Sequence, residues 1–188
     1  VTSTGGILLR KANVQTPGLT VGGESLLSAT VTYNGSAYVT PATVTITGGD
    51  PVLQSVSPSL SATYQIVSAT PSGGNAGSGY AVGDILVLNS NSSITFTVQS
   101  ITGNNPTGPI SSVSVTSNGG PLLSPVAGVK GVSAVTGAGT GARLSVSSGI
   151  HSINIINPGD GYTTVIPTIT ITGSVGSDDA TAVATLTQ

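Results

Sequence analysis

A glycine corner that recurs four times constrains the fold of this 188-residue chain more than any other feature. Its complete form, Gly-x-Gly-Tyr, occupies residues 77–80 and 159–162, while residues 35–38 keep only the first glycine and the tyrosine. Residues 119–122 form a degenerate copy without tyrosine, and the first glycines of the four corners are 42, 42 and 40 residues apart. Glycine is used where φ must be positive, and a following tyrosine can pack over the exposed corner backbone. A motif that recurs in this way predicts architecture and not a single chemical site.

The segments between the corners alternate apolar with hydroxyl or amide side chains, a pattern typical of half-buried antiparallel strands. No segment of ten or more residues has a helical period, so we expect an all-β protein. Residues 30–40 suggest a hairpin in addition, because Asn34-Gly35 suits a type I′ turn. The predicted inward positions are Val44/Ile46, Ile94/Phe96/Val98, Val113/Val115, Ala142/Leu144/Val146, Ile169/Ile171 and Ala182/Ala184/Leu186.

The repeat of roughly 41 residues predicts tandem antiparallel β-modules or sandwiches, in an elongated arrangement. A propeller blade has a similar period, but the chain has no Trp-Asp or kelch-like signature. The most linker-like stretch is residues 68–79. We therefore expect an N-terminal arm at residues 1–20, a first β-module at 21–70 and a second, repeat-containing β-module at 71–188.

Charge is scarce in this sequence, with four basic and six acidic residues and a net charge of −2. Weak charge repulsion allows identical copies to pack closely, which favours self-assembly. Nucleic acid is not an expected partner, because the basic residues form two separated pairs, Arg10/Lys11 and Lys130/Arg143. The chain has no cysteine, which excludes disulfides, thiolate metal sites and cysteine nucleophiles. No apolar run of about 18 residues and no signal-peptide pattern occur, so we expect a soluble chain and no membrane partner.

Two sequence patterns resemble functional sites, namely a catalytic triad built on one histidine and a glycine-rich dinucleotide-binding loop. His151 is the sole histidine, and a catalytic triad would have to combine it with a residue such as Asp160. No Gly-x-Ser-x-Gly elbow supports a triad, since Ser78 lies in the wrong frame, and we interpret His151 as an exposed residue at the start of a strand. Residues 137–142 match a dinucleotide fingerprint, but an alternating strand follows where a helix is required, which indicates a turn.

The acidic residues also fit structural or surface roles better than catalytic or metal-binding roles. A glycosidase needs two carboxylates and usually aromatic platforms, and this chain has no tryptophan. Asp178-Asp179 offers too few oxygens for Ca²⁺ and indicates a solvated turn. The glycosylation patterns at Asn34 and Asn91 are expected by chance, and we assign them no function. We predict no catalytic, cofactor-binding or metal-binding residue in this chain, and we therefore expect a protein that is not an enzyme. This prediction includes all six acidic residues, Glu24, Asp50, Asp84, Asp160, Asp178 and Asp179.

Residues 139–173, GTGARLSVSSGIHSINIINPGDGYTTVIPTITITG, resemble repeats of tailed-bacteriophage virion proteins, especially those of marine and cyanobacterial phages. Residues 77–88, GSGYAVGDILVL, are similar to a second sequence motif that recurs in phage proteins. In the N-terminal half only YVTPATVTITGG, at residues 38–49, shares the resemblance. The motif also occurs in bacterial surface adhesins. The resemblance implies a non-enzymatic virion component on the particle exterior and brings no catalytic residues.

The short length favours a compact head or collar decoration over a long fibre. By analogy we expect the chain to form a homo-oligomer, a trimer, through exposed strand edges, and its N-terminal arm to dock on another virion protein such as the major capsid protein. The arm could equally be a disordered or edge-strand segment. Host surface glycans are a further expected partner. Two alternatives stay open, namely an extracellular filament subunit or adhesin that exchanges strands, and a carbohydrate-binding module with Tyr38, Tyr80 and Tyr162 as platforms.

Overall fold

A computed structural model describes residues 23–49, 56–176 and 178–187, and within these ranges it contains ten strands and no helix. The expected all-β fold is confirmed. No helix in the described ranges could therefore cross a membrane. The N-terminal arm expected at residues 1–20 lies outside the described residues. The strands are β1 (Leu26–Tyr33), β2 (Tyr38–Thr47), β3 (Ser59–Ser78), β4 (Ile85–Leu88), β5 (Asn91–Ile101), β6 (Ile110–Asn118), β7 (Gly128–Ala134), β8 (Thr140–Asn157), β9 (Thr168–Ser174) and β10 (Thr181–Leu186).

All strand pairs of the described chain are antiparallel, as the alternating sequence pattern predicts. β1 and β10 form a two-stranded sheet, and the other strands join in the order β6-β5-β4-β7-β8-β2-β9, with β3 paired to β8. β3 and β8 are 20 and 18 residues long. They pair from Ser59 opposite Asn157 to Ser78 opposite Thr140 and form the spine of the fold.

Two hydrophobic cores lie along this spine. The inner core draws its buried residues from positions 66–146 and includes Tyr80, Phe96 and Leu144. The outer core draws them from 26–64 and 150–184 and includes Tyr38 and Tyr162. We call the strands around these cores the inner half (β4 to β7) and the outer half (β1, β2, β9 and β10). The boundary expected near residue 70 falls inside β3, which contributes to both cores.

Two strand pairings of the inner half have counterparts in the outer half, although β4 also pairs with β5 whereas β9 and β10 belong to different sheets. In the inner half β3 leads to β4 and β5, β5 pairs with β6, and β4 pairs with β7. In the outer half β8 leads to β9 and β10, β10 pairs with β1, and β9 pairs with β2. The backbone bridge between Tyr80 and Gly108 accordingly has a counterpart between Tyr162 and Glu24. The second corner, at residues 77–80, therefore corresponds in the fold to the fourth, at residues 159–162, and not to the next corner along the chain. The strand pairings do not establish a 41-residue repeat.

The first glycine has the same backbone conformation in all four corners. Their first glycines have φ of 60°, 66°, 71° and 67°, which confirms the prediction of positive φ at Gly35, Gly77, Gly119 and Gly159. Three corners have a second positive φ two residues later, and in the first corner a non-glycine residue, Ala37, adopts it at 58°.

The predicted hairpin at residues 30–40 is wrong, because β1 pairs with β10 while β2 pairs with β9 and β8. Asn34 and Gly35 instead carry the chain from one sheet to the other. The Asn34 side chain donates to the Ile150 carbonyl at 2.6 Å, and its own carbonyl accepts from the Ile150 amide at 2.7 Å. Contacts with β8 thus replace the local turn.

Candidate functional site

Asp178 and Asp179 lie in the loop between β9 and β10. Asp178 connects this loop by hydrogen bonds to the first corner, at residues 35–38. One carboxylate oxygen of Asp178 accepts a hydrogen bond from the Tyr33 hydroxyl at 2.6 Å, and the other accepts from the Ser36 hydroxyl. These bonds, from Ser36 first and then Tyr33, hold the pKa of Asp178 below its ordinary value. The same carboxylate raises the pKa of Tyr33.

Asp179 closes the turn on its other side. Its carboxylate accepts from the backbone amide of Ser174 at 3.0 Å, and this bond lowers the pKa of Asp179. The next residue, Ala180, donates its amide to the Tyr38 hydroxyl at 2.8 Å. Burial raises the pKa of Tyr38. The pair therefore binds protein donors, and the described ranges hold no group of three or more His, Cys, Asp or Glu side chains suited to a metal.

Acid should destabilise the protein through this turn. The two carboxylates have folded-state pKa values below the roughly 3.9 of an unfolded aspartate, so they contribute stability above that pH and lose it as the pH falls through their folded values. We expect a constant free energy of unfolding near neutral pH and a decline below about pH 4. Asp178→Asn should lower stability at pH 7 and make the acid decline shallower. Urea denaturation over a pH series measures both effects, and an unchanged slope in the variant would contradict the assignment.

Two further acids of the described chain, Asp84 and Asp160, accept hydrogen bonds from backbone amides. Asp84 is buried, and its carboxylate accepts from the Ala81 amide at 2.9 Å. Gly137 packs directly on this carboxylate, where a Cβ would overlap it. Asp160 accepts from the Val56 amide at 2.9 Å.

Residues 137–139 form a bend, in agreement with the expected turn, and residues 140–142 are already part of β8. The turn covers Asp84 and the ring of Tyr80, and strand β8 begins directly after it at Thr140. The helix that would hold a pyrophosphate is replaced by this strand.

His151 is exposed, as expected, but lies in the middle of β8 and not at a strand start. Its Nδ1 is 3.0 Å from Oε1 of Gln65, which also accepts from the Asn118 side chain at 2.6 Å. Ser78, the other residue considered for a triad, ends β3. These contacts connect β8, β3 and β6, and they give His151 a structural role.

The interpretation of the corner tyrosines as sugar platforms is wrong. Tyr38 and Tyr80 are 0% exposed and Tyr162 is 1% exposed, so no ring face is available for stacking. The Tyr80 ring lies against Gly77 and Gly139, and the Tyr162 ring lies against Gly49. The glycines make room for the rings, which is why the two residue types occur together.

The feature that sequence reasoning missed is a threonine face on β2 and β9. Three pairs lie opposite each other across the two strands, and all six side chains are exposed. Alternate residues on the same strands, such as Ile169 and Ile171, are buried in the outer core. The alternation was visible in TVTIT and TITIT, but the pairing of β2 with β9, which places the threonines opposite one another, was not. The threonine face comprises Thr43 opposite Thr172, Thr45 opposite Thr170, and Thr47 opposite Thr168.

Other hydroxyl-rich faces of the described chain differ from the threonine face because their side chains bond to one another. On β1 and β10 the hydroxyl pairs Ser28–Thr185 and Thr32–Thr181 are 2.7 and 2.8 Å apart. On β5 and β6 the Thr97–Thr116 hydroxyls are 2.6 Å apart. Within the threonine face the one side-chain hydrogen bond described is a long one, from Thr45 to the Thr170 carbonyl at 3.4 Å.

No protein-family model, curated protein or solved structure matches this chain.

Proposed function

We propose that this chain is a non-enzymatic structural protein of a tailed-bacteriophage particle, placed on the exterior as a capsid decoration or fibre component. The carrying observation is that the acidic side chains a catalyst would use are hydrogen-bonded to other groups of the chain itself. The carboxylates of Asp84 and Asp179 accept backbone amides, the carboxylate of Asp178 accepts the Tyr33 and Ser36 hydroxyls, and the corner tyrosines are buried. These bonds hold sheets whose exposed faces are largely uncharged. The repeat resemblance of residues 139–173 supplies the phage context for the proposal.

Copies of the same chain and a shell protein are the proposed partners, with a trimer as the proposed state. Within the described ranges the eight-stranded sheet ends at β6 and β9, and an end strand has backbone groups that a neighbouring chain can pair with. β9 carries no charged side chain and β6 none either, so nothing on these strands repels a second copy electrostatically. Residues 1–20 remain the proposed arm to the major capsid protein.

The test is quantitative mass spectrometry of purified, salt-washed particles from a phage that encodes this chain. The proposal predicts the chain in a fixed ratio to the major capsid protein. A chain found only in the lysate, and removed completely from intact particles by washing, would refute it. As a control, a known non-structural protein of the same phage should disappear in the wash.

A second candidate is an extracellular filament subunit or adhesin, which the occurrence of the glycine motif in surface adhesins and the open sheet ends support. An open helical polymer of the purified chain, in place of a closed particle component, would favour it. The carbohydrate-binding module is not proposed, because its three platforms are buried.

A further inference from the structure

We propose that this chain consists of two copies of one unit, which pair by exchanging strands, and that units of two different chains can pair in the same way. Unit 1 comprises β1 to β5 and unit 2 comprises β6 to β10, with residues 102–109 as the linker between them. The inference goes beyond the proposed function, since it concerns the isolated chain and holds whether or not the chain belongs to a particle.

The first strand of each unit shows the sequence similarity most clearly. Residues 26–35, which contain β1, read LLSATVTYNG, and residues 110–119, which contain β6, read ISSVSVTSNG, 84 positions later. Five of these ten residues are identical, including the final Asn-Gly. Each unit then has one Gly-x-Gly-Tyr corner, at 77–80 and at 159–162, 82 positions apart. A nearly constant spacing at both ends of the unit indicates a duplication.

Hydrogen bonds repeat with the same spacing. The Thr102 amide donates to the Pro109 carbonyl at 2.8 Å, and its counterpart, the Thr187 amide, donates to the Ser25 carbonyl at 2.9 Å. The hydroxyl pairs between β1 and β10 also have counterparts between β5 and β6. These pairs are Ser28–Thr185 at 2.7 Å with Ser100–Ser112 at 2.6 Å, and Thr32–Thr181 at 2.8 Å with Thr97–Thr116 at 2.6 Å.

The spine relates the two units by a local two-fold axis. Ile66 of β3 lies opposite Ser148 of β8, which is 82 positions later, the same spacing as between the corners. In an antiparallel pair of equivalent strands, a residue that lies opposite its own counterpart marks the axis, as in a dimer of two identical chains. The symmetry is incomplete, because β4 pairs with β5 whereas their counterparts β9 and β10 lie in different sheets.

Most strand pairings of the described chain join one unit to the other. These are β1–β10, β2–β8, β2–β9, β3–β8, β4–β7 and β5–β6, whereas β4–β5 and β7–β8 lie within a unit. Both cores also mix the units, with Phe96 beside Leu144 in the inner core and Tyr38 beside Tyr162 in the outer core. A unit therefore has unpaired strands and an open core until the complementary unit covers them, and this selects another unit as its partner.

The linker determines whether that partner belongs to the same chain. Thr102 and Pro109 are hydrogen-bonded, so residues 103–108 form the loop that lets β5 and β6 pair within one chain. A second chain offers the same unit contacts, and only the effective concentration that the linker provides favours the partner in the same chain. Deleting the exposed residues 103–107 leaves Gly108 alone in the loop, and a hairpin needs at least about two loop residues.

Engineered disulfides distinguish pairing within a chain from pairing between chains, because the chain has no cysteine of its own. Ser28→Cys with Thr185→Cys joins unit 1 to unit 2, since these residues lie opposite each other and their hydroxyls are 2.7 Å apart. Val129→Cys with Ser145→Cys is the matched control, since these residues also lie opposite each other but both belong to unit 2.

The first measurement is a non-reducing denaturing gel of the oxidised variants. With the natural linker, both cysteine pairs should run as monomer. With residues 103–107 deleted, the pair at 28 and 185 should shift to disulfide-linked dimers or larger species, while the control pair should remain monomeric. A disulfide between 28 and 185 that stays within one chain after the deletion would overturn the proposal.

Refolding with the natural linker provides a second measurement that does not depend on the folding of the shortened chain. The variant with cysteines at 28 and 185 is unfolded and reduced, refolded at increasing protein concentration, and then oxidised. Linked dimers should be rare at about 1 µM and comparable to monomer at about 1 mM, the scale of effective concentration that a short linker provides. The control pair should stay monomeric throughout.

A linked-dimer fraction that does not rise with concentration, or that rises equally in the control, would overturn the proposal. A trimer formed through strand edges keeps each disulfide within its own chain and dissociates on the denaturing gel. Both experiments use the isolated chain, so their outcome is separate from that of the particle analysis.

Discussion

Tyr80→Ala is expected to destabilise the protein by about 3–5 kcal/mol, the range for removing a large buried aromatic side chain. Its ring is 0% exposed and fills the space between Gly77 and Gly139, where a Cβ on either glycine would overlap it or press on it. Both glycines lie in backbone that cannot close around the cavity without breaking the β3–β8 spine. Urea denaturation of the variant and the wild type gives the difference.

Tyr162→Ala should cost a similar amount in the outer half, because its ring is 1% exposed and lies against Gly49. Tyr33→Ala is the control, as this tyrosine is 51% exposed, and its loss should cost about 1 kcal/mol or less. Equal effects of all three substitutions would show that the corner tyrosines do not anchor the cores.

Gly77→Ala is expected to cost about 3 kcal/mol or more, through a positive φ and a clash together. Gly77 has φ of +66°, and a Cβ there would overlap the Thr140 carbonyl oxygen and lie 2.8 Å from the Ala142 amide nitrogen. Both neighbours are backbone atoms of β8, so neither can rotate away. The change in the free energy of unfolding again provides the measurement.

Gly74 and Gly73 serve as controls that separate the cost of the positive φ from the cost of the clash. Gly74 has φ of +74° and open space around its Cβ position, so Gly74→Ala should cost only the conformational part, about 1–2 kcal/mol. Gly73 has neither a positive φ nor a neighbour within 4 Å, and Gly73→Ala should change stability by about 0.5 kcal/mol or less. If Gly77→Ala cost no more than Gly74→Ala, the close approach of the corner to β8 would be disproved.

Local patterns predicted the strands well. Ile94, Phe96 and Val98 were placed inward by alternation alone, and all three are 0% exposed. The corner glycines were recognised by their recurrence and have the positive φ that this implied. Both features depend on residues close in sequence, which a single sequence displays directly.

Pairings between distant strands could not be read in the same way. Asn34-Gly35 has the chemistry of a hairpin turn, yet β1 pairs with β10, about 150 residues away, because that pairing buries Leu26 and Ala184 in the outer core. The threonine face was missed for the same reason, since it exists only when β2 and β9 lie in register. Tyr38, Tyr80 and Tyr162 were wrongly interpreted as sugar-stacking platforms because the sequence shows that a residue is aromatic but not whether its ring is buried.

The most direct test of the proposed role is electron cryomicroscopy of intact particles from a phage that encodes this chain. The proposal predicts all-β density for the chain in symmetry-related copies on the particle exterior, touching one another and a shell protein. Complete particles that lack this density, together with the chain in the host cell as an isolated monomer, would contradict it.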